Sequence, residues 1–135
     1  MRVKVLAFRD FYVDGPAALS ESPFFSLPDQ NELFRSFIEA IRASGGGDEP
    51  ESGLEALALA LKSDWTREGD RQRHVIVVWT DASAHKLPGD IGKRQEELPR
   101  DYPDGLSLSL DDLTELWHSQ EISGKRLAAT IGAAR

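Results

Sequence analysis

The run Val75-Ile76-Val77-Val78-Trp79, closed by Thr80-Asp81, constrains the fold more than any other stretch of the chain. Successive β-branched and aliphatic side chains followed by an aromatic favour a strand over a helix. A second apolar run, Val3 with Val5 to Phe8, ends at the charged pair Arg9-Asp10 and also reads as a largely buried strand. Helical patterns lie between the two. Asp29 caps the first, Glu32 stands three residues on, and Leu33, Phe34, Phe37, Ile38 and Ile41 recur at helical spacing to about Ala43. Gly45-Gly46-Gly47 stops it. Asp48, Pro50 and Glu51 open a second helix, whose Leu54, Leu57, Ala58, Leu61 and Trp65 share one face. Strands alternating with helices in this way define an α/β chain.

The remaining segments read less sharply. Residues 14–23 form a loop, Phe24 to Leu27 a short edge strand returning beside the first, and Arg67 to Arg73 a solvated turn. From Ala82 to Leu108 the chain is punctuated by Pro and Gly, with a short helix near Lys93 to Leu98. Ser109 caps a third helix whose Leu110, Leu113, Leu116 and Trp117 lie on one side, and Lys125 to Ala133 reads as a last strand. Trp65 and Trp79 are expected in the core. With 135 residues there is room for one core, so residues 1–135 are read as a single domain.

Composition narrows the partners. The formal net charge of −7 repels a nucleic-acid backbone, and the lack of cysteine removes disulfides, thiolate metal sites and thiol catalysis. No apolar run approaches the ~20 residues of a membrane span, and the first residues lack the apolar stretch of a signal peptide, so the expected location is cytoplasmic with no membrane partner.

Strand direction then gathers the polar residues. If the first strand points up and Phe24 to Leu27 returns down, the first helix climbs, the second descends and the strand at Val75 rises. Asp10, the turn from Gly45 to Glu51, and Thr80-Asp81 to His85 therefore meet at one end, where open α/β sheets hold ligands. Asp48, Glu49, Glu51, Ser52, Thr80, Asp81 and Ser83 offer the oxygen ligands that hard cations take, although Asp48 and Glu51 also explain themselves as a capping box. Asp81, directly after a hydrophobic strand, is expected to be partly buried and in need of a partner. His85 reads as a lone solvated loop histidine, and His74 as incidental.

Gly45-Gly46-Gly47-Asp48-Glu49-Pro50-Glu51, then Gly53-Leu54-Glu55-Ala56-Leu57, then the strand ending Trp79-Thr80-Asp81-Ala82-Ser83-Ala84-His85 together resemble von Willebrand factor type A domains, of the bacterial and hemicentin-like branch. Ala7-Phe8-Arg9-Asp10 is similar to the second strand of such domains. The resemblance runs from about Arg2 to His85, and more loosely beyond. It implies a Rossmann-like, doubly wound, mostly parallel sheet flanked by helices, with a metal-ion-dependent adhesion site on top. Such a site binds a protein partner through a divalent cation, Mg²⁺ first and Ca²⁺ or Mn²⁺ otherwise, and does not catalyse. It implies Asp48, where most of the family has a coordinating Thr, and Asp81, at the last acidic position, as metal ligands. The family's first motif, Asp-x-Ser-x-Ser, has no counterpart, and the strand that carries it normally lies between the two strands named first. The expectation is a partial domain whose sheet is completed by an upstream segment or by another chain. A competing reading of the same residues is a metal-dependent hydrolase or phosphotransferase of Rossmann-like fold, with Asp48 and Asp81 on the metal and His85 as acid or base.

Overall fold

A computed structural model describes residues 1–42, 50–66, 73–106, 108–121 and 127–132. In chain order its regular elements are β1 (Arg2–Val3), β2 (Leu6–Phe8), β3 (Leu19–Glu21), β4 (Phe25–Ser26), α1 (Asn31–Ala40), α2 (Gly53–Leu61), β5 (His74–Trp79), α3 (Leu110–Glu121) and β6 (Leu127–Gly132). Single 3₁₀ turns occupy Gly15–Ala18, Pro88–Ile91 and Gln95–Glu97. The fold is α/β. Among the described residues the strands form three separate pairs: β1–β4 and β2–β3 antiparallel, and β5–β6 parallel in the register His74↔Leu127 to Trp79↔Gly132.

The first apolar run divides into two short strands with different partners. Val3 faces Phe25, as the returning edge strand requires, while Leu6 to Phe8 pair with Leu19 to Glu21, inside the stretch expected as a loop. Ser22 makes the changeover: its N–H donates to the Val5 carbonyl at 3.0 Å, and its buried hydroxyl accepts the Val5 N–H at 2.9 Å. Pro23 has no N–H to carry one ladder onward, which is why pairing restarts at β4.

α1 departs from expectation at both ends and along its face. It begins after Gln30, whose side chain accepts the Ser26 N–H at 2.7 Å, so Asp29 does not cap it, and it ends at Ala40. Phe34 packs edge-on against Phe25 and Phe37 lies tilted against it, but no residue of α1 is buried; Leu33 is 58% exposed and Ile38 41%. The apolar stripe thus seats a local β1–β4–α1 cluster and leaves half its width in solvent.

The main core lies elsewhere. α2 is apolar nearly all round and buries Ala56, Ala58, Ala60 and Leu61 against Phe11, Ala18, Ile76, Leu87, Tyr102, Leu106 and Leu113, with Trp65 and Trp117 packed at its margin. α3 begins as read, for Ser109 Oγ accepts the Asp112 N–H and Asp112 Oδ2 accepts the Ser109 N–H, a reciprocal cap. Trp79 is 68% exposed, not core: with Val75 and Val77 it lies on the side of β5 that no described element covers. The turn at Arg67 to Gln72 and the strand ends at Lys125 and Ala133 lie outside the described residues.

Leu61→Ala should therefore cost about 2–5 kcal/mol, while Leu33→Ala, on the stripe that looks more core-like in sequence, should stay within about 0.5 kcal/mol. Urea unfolding of the two variants beside the parent chain checks the contrast.

Candidate functional site

Three segments meet at one end of the molecule. Glu51 forms an isolated parallel bridge with Ala84: its N–H donates to the Ser83 carbonyl and its own carbonyl accepts the His85 N–H, each at 2.8 Å. The next residue, Ser52, is fully buried, and its Oγ accepts the Phe11 N–H at 3.0 Å. The segment after β2 is folded on itself by Asp10, whose Oδ1 accepts the Tyr12 N–H at 2.7 Å. Its other carboxylate oxygen stands 3.2 Å from His85 Nε2, an ion-pair distance without the alignment of a hydrogen bond. The deduction from strand direction holds for Asp10, Glu51 and His85.

A second layer lies beneath. The Tyr12 ring meets the His85 ring edge-on at 5.2 Å and the Tyr102 ring at 5.9 Å, and Lys93 Nζ stands 4.8 Å over the Tyr12 face. Tyr102 donates its hydroxyl to Glu55 Oε1 at 3.2 Å. Glu55, in the first turn of α2, is 0% exposed. Among the described residues, the buried side-chain atoms without a hydrogen-bond partner are Tyr12 Oη, Glu51 Oε2, Glu55 Oε2 and His85 Nε2, all in this cluster.

Burial pushes the Glu55 carboxyl above the usual carboxylate range, against the opposing pull of its hydrogen bonds. Burial likewise raises Glu51, helped by the negative charges of Asp10 and Asp14, and raises both tyrosines, which face Glu55.

Several sequence expectations are corrected. Glu51 is not part of a helix cap; α2 starts two residues later, because Glu51 is drawn into the bridge with Ala84. His85 is not a solvated loop histidine but is half-buried against Asp10 and Tyr12. His74 is not incidental, since its Nε2 lies 3.0 Å from the Thr66 carbonyl and its ring packs on Trp65. Asp81 is exposed at the end of β5, where solvent takes the place of the buried partner expected for it. Asp48 and Glu49 lie outside the described residues. An exposed carboxylate such as Asp81 can serve a hard cation as one oxygen ligand, but such ions take six or more, and among the described residues no three acidic or histidine side chains converge on a metal position.

Glu55, Tyr12 and Tyr102 escaped the sequence reading. The signal was present for Glu55: it is the one charge in Gly-Leu-Glu-Ala-Leu-Ala-Leu-Ala-Leu, and a helix apolar all round has no wet face for it.

The family model for the von Willebrand factor A domain matches residues 23–90, just over half of the chain. The chain belongs to that family. The matched span holds α1, α2 and β5, together with Asp48, Glu51, Glu55, Asp81 and His85. Neither a curated protein nor a solved structure matches the chain.

Two changes probe the cluster. Ser52→Ala leaves the buried Phe11 N–H without its acceptor and should cost about 1–3 kcal/mol in urea unfolding. Glu55→Gln bears on pH. A carboxyl whose folded value lies above its ordinary 4.5 stabilises the fold below that pH, and the contribution is lost as pH rises through the raised value. Thermal melts should show Glu55→Gln above the parent at pH 7, with the advantage shrinking to nothing below pH 4.5.

Proposed function

We propose that the chain is a protein-interaction module of the von Willebrand factor A class, which receives its partner at the end where the segments after β2 and β5 meet the start of α2. The observation that carries this reading is the conjunction of the family match with that convergence, because ligands of open α/β sheets sit beyond the carboxyl ends of their strands. In this reading β5 and β6 are the parallel part of a doubly wound sheet. β2 and β5 flank the place of a further strand, supplied by a segment upstream or by another chain.

Asp48 and Asp81 are the chain's proposed contribution to a divalent cation, Mg²⁺ before Ca²⁺ or Mn²⁺. The remaining oxygens would come from the partner or from the strand that completes the sheet. The cation would offer a positive centre to an acidic group of the partner; Asp81 would hold and orient it, and no bond is made or broken.

A thermal melt of the full chain in EDTA and in millimolar Mg²⁺ or Mn²⁺ tests the metal element. An ion that binds only the folded state adds about 2.7 kcal/mol at a hundredfold excess over Kd, so the midpoint should rise by several degrees and the rise should vanish in Asp81→Ala. A melt indifferent to both ions removes the cation from the reading. Turnover of phosphoesters that is lost in Asp81→Ala would replace the interaction module with a hydrolase.

A further inference from the structure

The cluster of Asp10, Glu51, Glu55 and His85 holds more acid than its surroundings neutralise. Glu55 reaches into it from α2, fully buried, with Oε1 occupied by the Tyr102 hydroxyl and Oε2 left without a partner. The groups facing it are Tyr12 and Asp10 from the segment after β2, His85 from the segment after β5, and Tyr102 from the segment before α3. Glu51 faces Asp10, Asp14, His85 and Arg9, while the one cation over the Tyr12 ring is the exposed Lys93. A single imidazole therefore stands inside the cluster against three carboxyl groups.

We propose that this cluster is a proton-operated latch on the partner-binding end: while Glu55 carries a proton on Oε2, the segments around Phe11, Glu51 and His85 are clamped together, and loss of that proton releases them. The inference rests on the reading that this end receives the partner. A neutral carboxylic acid at Glu55 accepts from Tyr102 at one oxygen and holds its proton on the other, so the buried, unpartnered Oε2 carries no charge. The ionised form leaves a charged, fully buried oxygen without a hydrogen-bond partner and facing the negative charge of Asp10, a state that the fold relieves by opening to solvent. Opening costs little backbone pairing. The Glu51–Ala84 bridge contributes two hydrogen bonds and the Ser52 hydroxyl one, so the latch can part while the β5–β6 ladder and the α2–α3 packing remain.

Amide hydrogen exchange on the full chain in EDTA, with no partner present, tests the latch apart from the interaction reading. Between the ordinary carboxylate range and the raised value of Glu55, each opening releases one proton. The protection of the Phe11, Glu51 and His85 amides, corrected for intrinsic exchange, should therefore fall about tenfold per pH unit. The Leu113 amide, inside α3 and in the main core, should stay better protected than these three at every pH, because the latch parts without unfolding α3. In Glu55→Gln the slope should shrink to the part that the raised Glu51 carboxyl leaves. In Tyr102→Phe, which removes a donor that favours the ionised form, the fall should begin at the same pH but continue to higher pH before levelling, and this variant decides the matter if Glu55→Gln does not fold. Protection at Phe11, Glu51 and His85 that ignores pH, protection there no lower than that of Leu113, or a slope unchanged by the variants would overturn the latch. Such a result would leave the melt in Mg²⁺ to judge the interaction module on its own.

Discussion

Two consecutive residues, Glu51 and Ser52, tie the molecule together. Through its backbone Glu51 joins the start of α2 to the end of β5, and through its hydroxyl Ser52 joins the same point to the segment after β2. These are three chain segments far apart in sequence, and hydrogen bonds to the backbone fix their register where they meet. A backbone group buried there without its partner would cost more than the bond contributes when made. The requirement explains why α2 starts at Gly53 and not at the more obvious signal around Asp48. A helix begun earlier would turn the Glu51 backbone inward on itself and strip Ser83 and His85 of their partners. Local capping preference is worth about 1 kcal/mol, and two well-made long-range hydrogen bonds outweigh it.

The same competition between local and distant interactions marks what could be read from the chain. β5 and the Ser109 cap of α3 were legible because each depends on residues adjacent in sequence: a β-branched run and a reciprocal Ser109–Asp112 pair. The convergence of Asp10, Glu51 and His85 was legible for another reason, since strand direction and short connections leave few routes for the chain. What escaped was decided at a distance. β3 forms because Leu6 to Phe8 need an edge partner, and nothing in Leu19 to Glu21 announces it. Asp81 was assigned a buried partner from its place after a hydrophobic strand, yet the strand is wet on one side and its end emerges with it.

That wet side shares a cause with the exposed half of α1. In an α/β fold each sheet face is covered by helices and each amphipathic helix by a sheet, because neither can bury its apolar side alone. Here Val75, Val77 and Trp79 on β5, and Leu33 and Ile38 on α1, all retain substantial exposure among the described residues. Both are faces of the kind that a doubly wound layer would cover. The alternation along β5, with Ile76 buried between exposed Val75 and Val77, is that of a half-covered strand, although its composition is that of a fully covered one. A sequence pattern records the environment a strand is built for, and β5 offers one such surface.

The acidic end of the molecule obeys a similar logic of incomplete compensation. With a formal net charge of −7, the chain has little positive field to spare for three carboxyl groups gathered around one histidine. Neutralisation can come from a proton on Glu55 or from another positive charge placed at this end, and the two are not independent. Any positive charge placed at this end lowers the cost of ionising Glu55, and by linkage a proton retained on Glu55 lowers the affinity for that charge by the same factor. The cation proposed for this end would therefore meet a surface whose readiness depends on proton activity. The buried glutamate in α2, remote from any exposed ligand, would set the terms on which the surface is offered.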